Sequence, residues 1–131
     1  MSKKAYFPLF VDLSDKKILV VGGGNVATRR VKTLLPFTKQ IMVIAPKMTE
    51  ELYRMVKMGT VSGDFREVKK TDFEDVYMVL ACTNDEQVNN NIYYICKDMG
   101  IYVNLANSKE KCDFFFPGVV KKDEAVVGIT A

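Results

Sequence analysis

Apolar positions along this chain alternate between two periods. Residues 18–21, 41–45, 76–82 and 101–106 are short, nearly unbroken apolar runs rich in β-branched side chains. Such runs predict strands covered on both faces, as in a parallel sheet. Between them the apolar residues fall at helical spacing. A first helix is expected from about Val26 to Leu35, burying Val26, Val31, Leu34 and Leu35, with Pro36 limiting its continuation. A second opens at Thr49 as cap, with Glu50 and Glu51 complementing the dipole, buries Leu52, Met55 and Val56, and stops at Gly59. A third opens at Thr83-Asn84-Asp85, with Thr83 or Asn84 as N-cap. It carries Val88, Ile92, Ile95, Cys96 and Met99 and ends before Gly100. Residues 61–68 are a weaker strand candidate, interrupted at Gly63-Asp64. Residues 6–11 form a short apolar segment ahead of a turn at Ser14-Asp15-Lys16-Lys17, and residues 114–120 and 125–129 flank Lys121-Lys122-Asp123-Glu124 as a hairpin.

Strands alternating with helices, followed by a β-rich end, predict one α/β domain over residues 1–131. Its class is Rossmann-like and doubly wound, with a largely parallel sheet and a C-terminal β-hairpin. No internal repeat, low-complexity tract or linker interrupts it. In such sheets ligands sit beyond the carboxyl ends of the strands. Four segments should therefore converge on one crevice: residues 22–26, 45–47, 82–85 and 104–108.

The first of these holds the most informative chemistry. The strand ends in Gly22-Gly23-Gly24 and a helix follows at once, so Gly22-x-Gly24-x-x-Ala27 fits the fingerprint of a dinucleotide-binding turn. Gly22 makes the tight turn, Gly24 lets backbone approach a pyrophosphate, and Ala27 lets helix and strand pack closely. Asn25 and Val26 then begin a helix whose free N–H groups and positive dipole end face the phosphates. The expected cofactor is a nicotinamide dinucleotide. An acid normally holds the adenosine ribose at the end of the second strand, but Ala45-Pro46-Lys47 stands there. The backbone around Pro46 and Lys47 is the alternative ribose holder. Lys47 is equally a plain surface charge, and NAD against NADP is not settled by charge. Thr83 and Asn84 complete the expected cofactor site. Of Arg29 and Arg30, one should face solvent while the other can meet an anionic substrate. Phe114, Phe115 and Phe116 read as core or interface packing rather than a cofactor box.

Composition narrows the chemistry further. The chain has no histidine, which removes His-dependent triads, His–metal sites and imidazole acid–base catalysis together. Three cysteines without C-x-x-C spacing argue against a zinc site and a disulfide framework, so no metal is expected and a reducing cytoplasm is. A net charge of +3, without a basic tract, gives no sign of nucleic-acid binding. No apolar run is long enough to span a bilayer, and no signal-peptide core opens the chain, so no membrane partner is expected.

With these residues in view the chain resembles the precorrin-2 dehydrogenases, the N-terminal NAD-binding module of siroheme synthases. The likeness runs from Tyr6-Phe7-Pro8-Leu9-Phe10 through the glycine turn with Arg29-Arg30. It continues through Ala81-Cys82-Thr83-Asn84-Asp85 with Asn89, then Val103-Asn104, and Cys112-Asp113-Phe114-x-Phe116-Pro117. It implies NAD-dependent oxidation of precorrin-2, a tetrapyrrole, to sirohydrochlorin on the route to siroheme; some relatives also insert ferrous iron.

Two departures accompany the resemblance. The family places a carboxylate for proton transfer three residues after the position of Asn104, where this chain has Asn107. An amide accepts a hydrogen bond but is no base at neutral pH. Four readings stand side by side: a binding-only relative, a proton taken by the substrate's own carboxylates or water, replacement by Asp85 or Asp113, or an introduced substitution. Relatives also continue past Thr130-Ala131 into a helical region that dimerises, so this chain is expected to be a monomer or weak homodimer pairing through its aromatic C-terminal strands. The competing class is a non-catalytic NAD(H)-binding regulatory domain, like those of potassium transporters. That class normally keeps the acid that Ala45-Pro46-Lys47 lacks, and has no reason to carry the Cys-Asp-Phe-Phe-Phe-Pro run.

Overall fold

The computed structural model describes residues 5–108 and 110–130. In chain order the elements are β1 (Lys17–Val21), α1 (Asn25–Leu34), β2 (Gln40–Ile44), α2 (Glu50–Lys57), β3 (Ser62–Asp64), a 3₁₀ turn (Lys70–Phe73), β4 (Met78–Ala81), α3 (Glu86–Met99), β5 (Tyr102–Leu105), β6 (Gly118–Lys122) and β7 (Ala125–Ile129). The first five strands form one parallel sheet in the order β3-β2-β1-β4-β5, and β6 pairs antiparallel with β7. The expected Rossmann-like sheet and terminal hairpin are both present.

Because successive side chains leave a strand on opposite faces, the apolar runs feed two cores. Leu19, Val21, Val79, Ala81 and Val103 share one core with Ile92 and Cys96 of α3 and with Phe73 of the 3₁₀ turn. Ile18, Val20, Ile41, Val43 and Leu80 face α1 and α2, meeting Ala27, Val31, Leu34 and Leu52. Both faces of the sheet are therefore dry, which is why these strands read as unbroken apolar runs instead of alternating ones.

Several boundaries differ from the expectation. Residues 61–68 yield only Ser62–Asp64, and Gly63 is the centre of that strand rather than its interruption. A Cβ on Gly63 would lie 2.7 Å from a Val56 methyl, so the missing side chain is what lets α2 close on β3. The N-cap of α3 is Asp85, not Thr83 or Asn84: its carboxylate accepts from the Gln87 and Val88 N–H groups. Thr83 is engaged elsewhere, donating to Oδ1 of the fully buried Asn89 at 2.6 Å. Thr49 caps α2 as expected, accepting from Leu52 N–H at 3.2 Å. Residues 6–11 form no regular element, leaving Phe7 and Phe10 largely exposed. Phe114 and Phe116 pack against the α1-side core, and Phe115 meets the Tyr6 ring.

The β1–α1 turn is tied to the β2–α2 loop by backbone. Thr49 N–H donates to the Gly23 carbonyl at 2.8 Å, and the Thr28 and Thr49 hydroxyls share a 2.7 Å hydrogen bond. A Cβ on Gly23 would fall 2.1 Å from the Lys47 carbonyl oxygen. Gly23→Ala should consequently destabilise the fold by about 2–3 kcal/mol, in the range of overpacking against rigid neighbours. Urea unfolding measures this, and a midpoint equal to wild type would contradict the contact.

Candidate functional site

The carboxyl ends of the central strands open onto a cleft of about 390 Å³, within the range of small-molecule sites. Gly22, Ala45 and Pro46 line its floor. One wall is the segment between β3 and the 3₁₀ turn (Arg66, Glu67, Val68, Lys69, Lys70), and the other is Thr83 with the start of α3 (Asp85, Val88, Asn91, Ile92, Ile95).

The glycine turn sits at the base of this cleft. Gly22 has φ of 123°, a region that favours glycine, and a Cβ there would lie 2.6 Å from the Cys82 carbonyl oxygen. Gly24 precedes α1 as its N-cap, and a Cβ there would meet nothing within 4 Å, so its outer side is open. Ala27, in the first turn of α1, is fully buried against the sheet. Asn25 and Val26 open the helix, whose first N–H groups have no partner within it.

Of the residues expected to hold a cofactor, Gly22, Pro46 and Thr83 line the cleft together. Gly24, Asn25 and Val26 form the adjoining helix start, while Lys47 and Asn84 are exposed beside it. Asn107 lies apart, in an exposed turn between β5 and the bridge residue Ser108. The two aspartates that could replace it are committed. Asp85 caps α3. Asp113 pairs with Lys97 and accepts from Val103 N–H at 3.0 Å.

The wall from residues 66–70 is not among the four expected segments, because residues 61–68 read only as a weak strand candidate interrupted at Gly63-Asp64. It corrects one point: no carboxylate stands at the end of β2, yet Glu67 reaches the cleft from the neighbouring β3 side. This wall is clamped. Arg66 donates through both terminal nitrogens to Asp72, at 2.9 and 2.7 Å, and to the Glu67 carbonyl at 3.0 Å. Asp72 also accepts from Lys69 N–H at 2.7 Å. The Arg66 hydrogen bonds hold the Asp72 carboxyl below its ordinary value of 3.8, and Asp72 raises the guanidinium in turn.

A second, smaller cavity of about 140 Å³ lies at the end of β5, lined by Arg30 of α1 and by Phe114, Phe115 and Phe116. Arg29 is exposed; Arg30 is half-buried in this cavity, donating to Asn104 Oδ1 at 2.6 Å with its guanidinium 4.9 Å from the Phe116 ring. Burial pushes the neighbouring Cys82 thiol up to about 11, against the pull of Arg30, so it stays protonated at neutral pH. Among the described residues no group of three or more His, Cys, Asp or Glu could hold a metal ion, and no helix is long and apolar enough to cross a membrane.

A family model described as "Putative NAD(P)-binding" matches residues 9–118. The chain belongs to that family. It is 42% identical over 125 residues to the "Probable multifunctional siroheme biosynthesis protein HemA" of Ruminiclostridium josui, covering 95% of this chain and 24% of that protein. Against the siroheme synthase of Nitrosococcus oceani it is 32% identical over 126 residues, covering 96% of this chain and 27% of that protein. Among solved structures, "SirC, precorrin-2 dehydrogenase" matches with a TM-score of 0.85 at 27% identity, over 95% of this chain and 60% of that one. The chain thus spans about a quarter of the length of the two sequence relatives. The resemblance read from the sequence holds, and the family's description names a nicotinamide dinucleotide, NAD or NADP, as the cofactor.

The cleft fits that cofactor. The open side of Gly24 and the α1 N-terminus suit a pyrophosphate, while Val68, Val88, Ile92 and Ile95 offer an apolar wall to a flat ring. Gly24→Val places a branched side chain in the open space beside the α1 N-terminus. It should abolish measurable NAD binding by calorimetry while the protein stays folded, and unchanged affinity would show the pyrophosphate lies elsewhere. Asp72→Asn frees the far wall, and should raise the Kd for NAD about three- to tenfold, the cost of ordering one or two side chains on binding. The wild-type clamp is fully present above the ordinary carboxylate value and is lost as pH falls through the depressed value of folded Asp72. Wild-type affinity should accordingly be flat from neutral pH down to about pH 5; an Asp72→Asn protein that binds NAD as tightly as wild type would contradict the clamp.

Proposed function

We propose that this domain binds NAD for the oxidation of precorrin-2 to sirohydrochlorin in the cytoplasm. The observation that supports it most is the combination of a dinucleotide cleft on one side of the β4 end with a cationic, aromatic cavity on the other. The siroheme synthase and precorrin-2 dehydrogenase relatives support the same reaction. NAD supplies the hydride acceptor. A hydride and a proton leave the substrate, giving sirohydrochlorin, NADH and H⁺. The chain's own part is to hold the dinucleotide across Gly22, Gly24, Asn25, Val26, Pro46, Lys47, Thr83 and Asn84, and to present the macrocycle at the strand ends.

The proton is the harder part. Asn107 occupies the proton-transfer position, where its Oδ1 can accept a hydrogen bond but cannot take a proton at neutral pH. With Asp85 and Asp113 engaged as cap and ion pair, the proton goes to water or to a substrate carboxylate. That same engagement favours a second reading, a binding-only NAD domain.

Self-association is the remaining expectation. Val120, Val127 and Ile129 are exposed on the hairpin, which fits a monomer with weak homodimer pairing there.

Positioned acid–base groups contribute about 10²–10⁴-fold, so Asn107→Asp should raise the rate of sirohydrochlorin formation by a factor of that order. Anaerobic incubation with precorrin-2 and NAD, followed by absorbance, measures it. Equal rates in the two proteins would remove Asn107 from the proton path. Absence of turnover in both, with NAD bound, would favour the binding-only reading.

A further inference from the structure

Arg30 is a half-buried cation whose neighbours are all neutral. Its guanidinium meets an amide oxygen (Asn104), a buried thiol (Cys82) and an aromatic face (Phe116). Among the described residues no carboxylate lies within ion-pair distance of it. Arginines withdrawn from water are ordinarily paired with an anion, because desolvating the charge is costly otherwise. Here one N–H is used on Asn104 and another meets the Cys82 sulfur, and of the five donors in the planar fork others remain for a carboxylate.

The surroundings hold this guanidinium in place. The Asn104 Nδ2 donates to the Phe114 carbonyl at 2.9 Å, so its Oδ1 is fixed toward Arg30. Phe116 covers one face of the guanidinium, an arrangement arginine favours over lysine. The cavity beside it, with Tyr6 and Phe115 at its edge, is about 140 Å³: too small for a macrocycle, and of a size for one carboxylate-bearing arm.

Its place in the fold gives the arm a purpose. Cys82 touches Arg30, and the next residue, Thr83, lines the dinucleotide cleft. Asn104 pairs across the sheet with Leu80, and Ala106 and Ser108, on either side of Asn107, line the arginine cavity. An arm held here lies against the end of β5, next to the Asn107 turn.

We propose that the Arg30–Asn104–Phe116 cavity is a carboxylate subsite that anchors one acidic side chain of the substrate. The inference rests on the tetrapyrrole reading above, since acetate and propionate arms are the acidic groups of such a substrate. Charge-assisted pairing to a fixed guanidinium is worth enough that its loss weakens binding about tenfold or more.

Two arms test it on the full 131-residue chain. In the first, sodium propionate is titrated into wild-type protein, with sodium chloride at equal ionic strength as control. The NMR signals of Arg30 Nε–H and the Asn104 side-chain amide should shift and saturate with propionate alone. In the second, sirohydrochlorin is titrated anaerobically into wild type, Arg30→Lys and Arg30→Gln. Arg30→Gln should bind about tenfold more weakly or worse, Arg30→Lys should fall between, and the Kd for NAD should be unchanged in both. If Arg30→Gln fails to fold, Arg30→Lys and the propionate arm decide. Unmoved Arg30 signals, or equal sirohydrochlorin binding in folded variants, overturn the subsite while leaving the tetrapyrrole reading standing. Propionate shifts at Arg30 without sirohydrochlorin binding to wild type would keep the subsite and overturn that reading instead.

Discussion

Two backbone contacts that exclude a Cβ set the geometry of this molecule. At the end of β1, Gly22 admits the Cys82 carbonyl and Gly23 admits the Lys47 carbonyl, each at a distance a side chain would occupy. The loops leaving β2 and β4 are thereby drawn against the turn leaving β1. Since β1 pairs with β2 on one side and β4 on the other, this contact gathers the carboxyl ends of the sheet's centre into one crevice. Gly24, just beyond, faces open space. Two glycines of the run are filled by protein, and the third leaves room for something else.

Most of this was legible in the sequence because burial on both faces leaves an unmistakable mark. The runs that became β1, β2, β4 and β5 are apolar without alternation, and such runs fit few places other than the middle of a covered parallel sheet. The helices were legible from period and punctuation, with Thr49 and Gly100 at their ends as expected. The misreadings occurred where tertiary contact overrides local preference. Gly63 looks like a break in sequence but is required for the approach of Val56. Thr83 looks like a cap but is taken by buried Asn89, leaving that role to Asp85. The wall at residues 66–70 escaped notice because its order comes from Asp72 gripping Arg66 and the Lys69 backbone, a contact that no periodicity records.

The two sides of the sheet's upper edge differ in kind. On the α3 side, apolar α3 residues and a clamped loop border a cleft of about 390 Å³. On the α1 side, a single arginine is held by neutral partners among aromatic rings. The proposed hydride transfer uses that difference, with the cofactor on the side of backbone and apolar contact and the substrate on the side of charge. The neutral amide of Asn107 at the edge of the second side is the one feature that runs against this arrangement, and it is a feature of chemistry rather than of shape.

The claim on which the rest depends is that NAD lies along the β1–α1 turn, against the wall at residues 66–70 and the α3 face of the cleft. The most direct measurement is an NMR titration of the wild-type chain with NAD. The account predicts saturable shifts at the backbone amides of Gly22, Gly24, Asn25 and Val26, at Lys47, at residues 66–70 and at Thr83, with the β6–β7 hairpin unaffected. Saturable shifts confined to the hairpin or to the exposed faces of the helices, with the glycine turn silent, would contradict it.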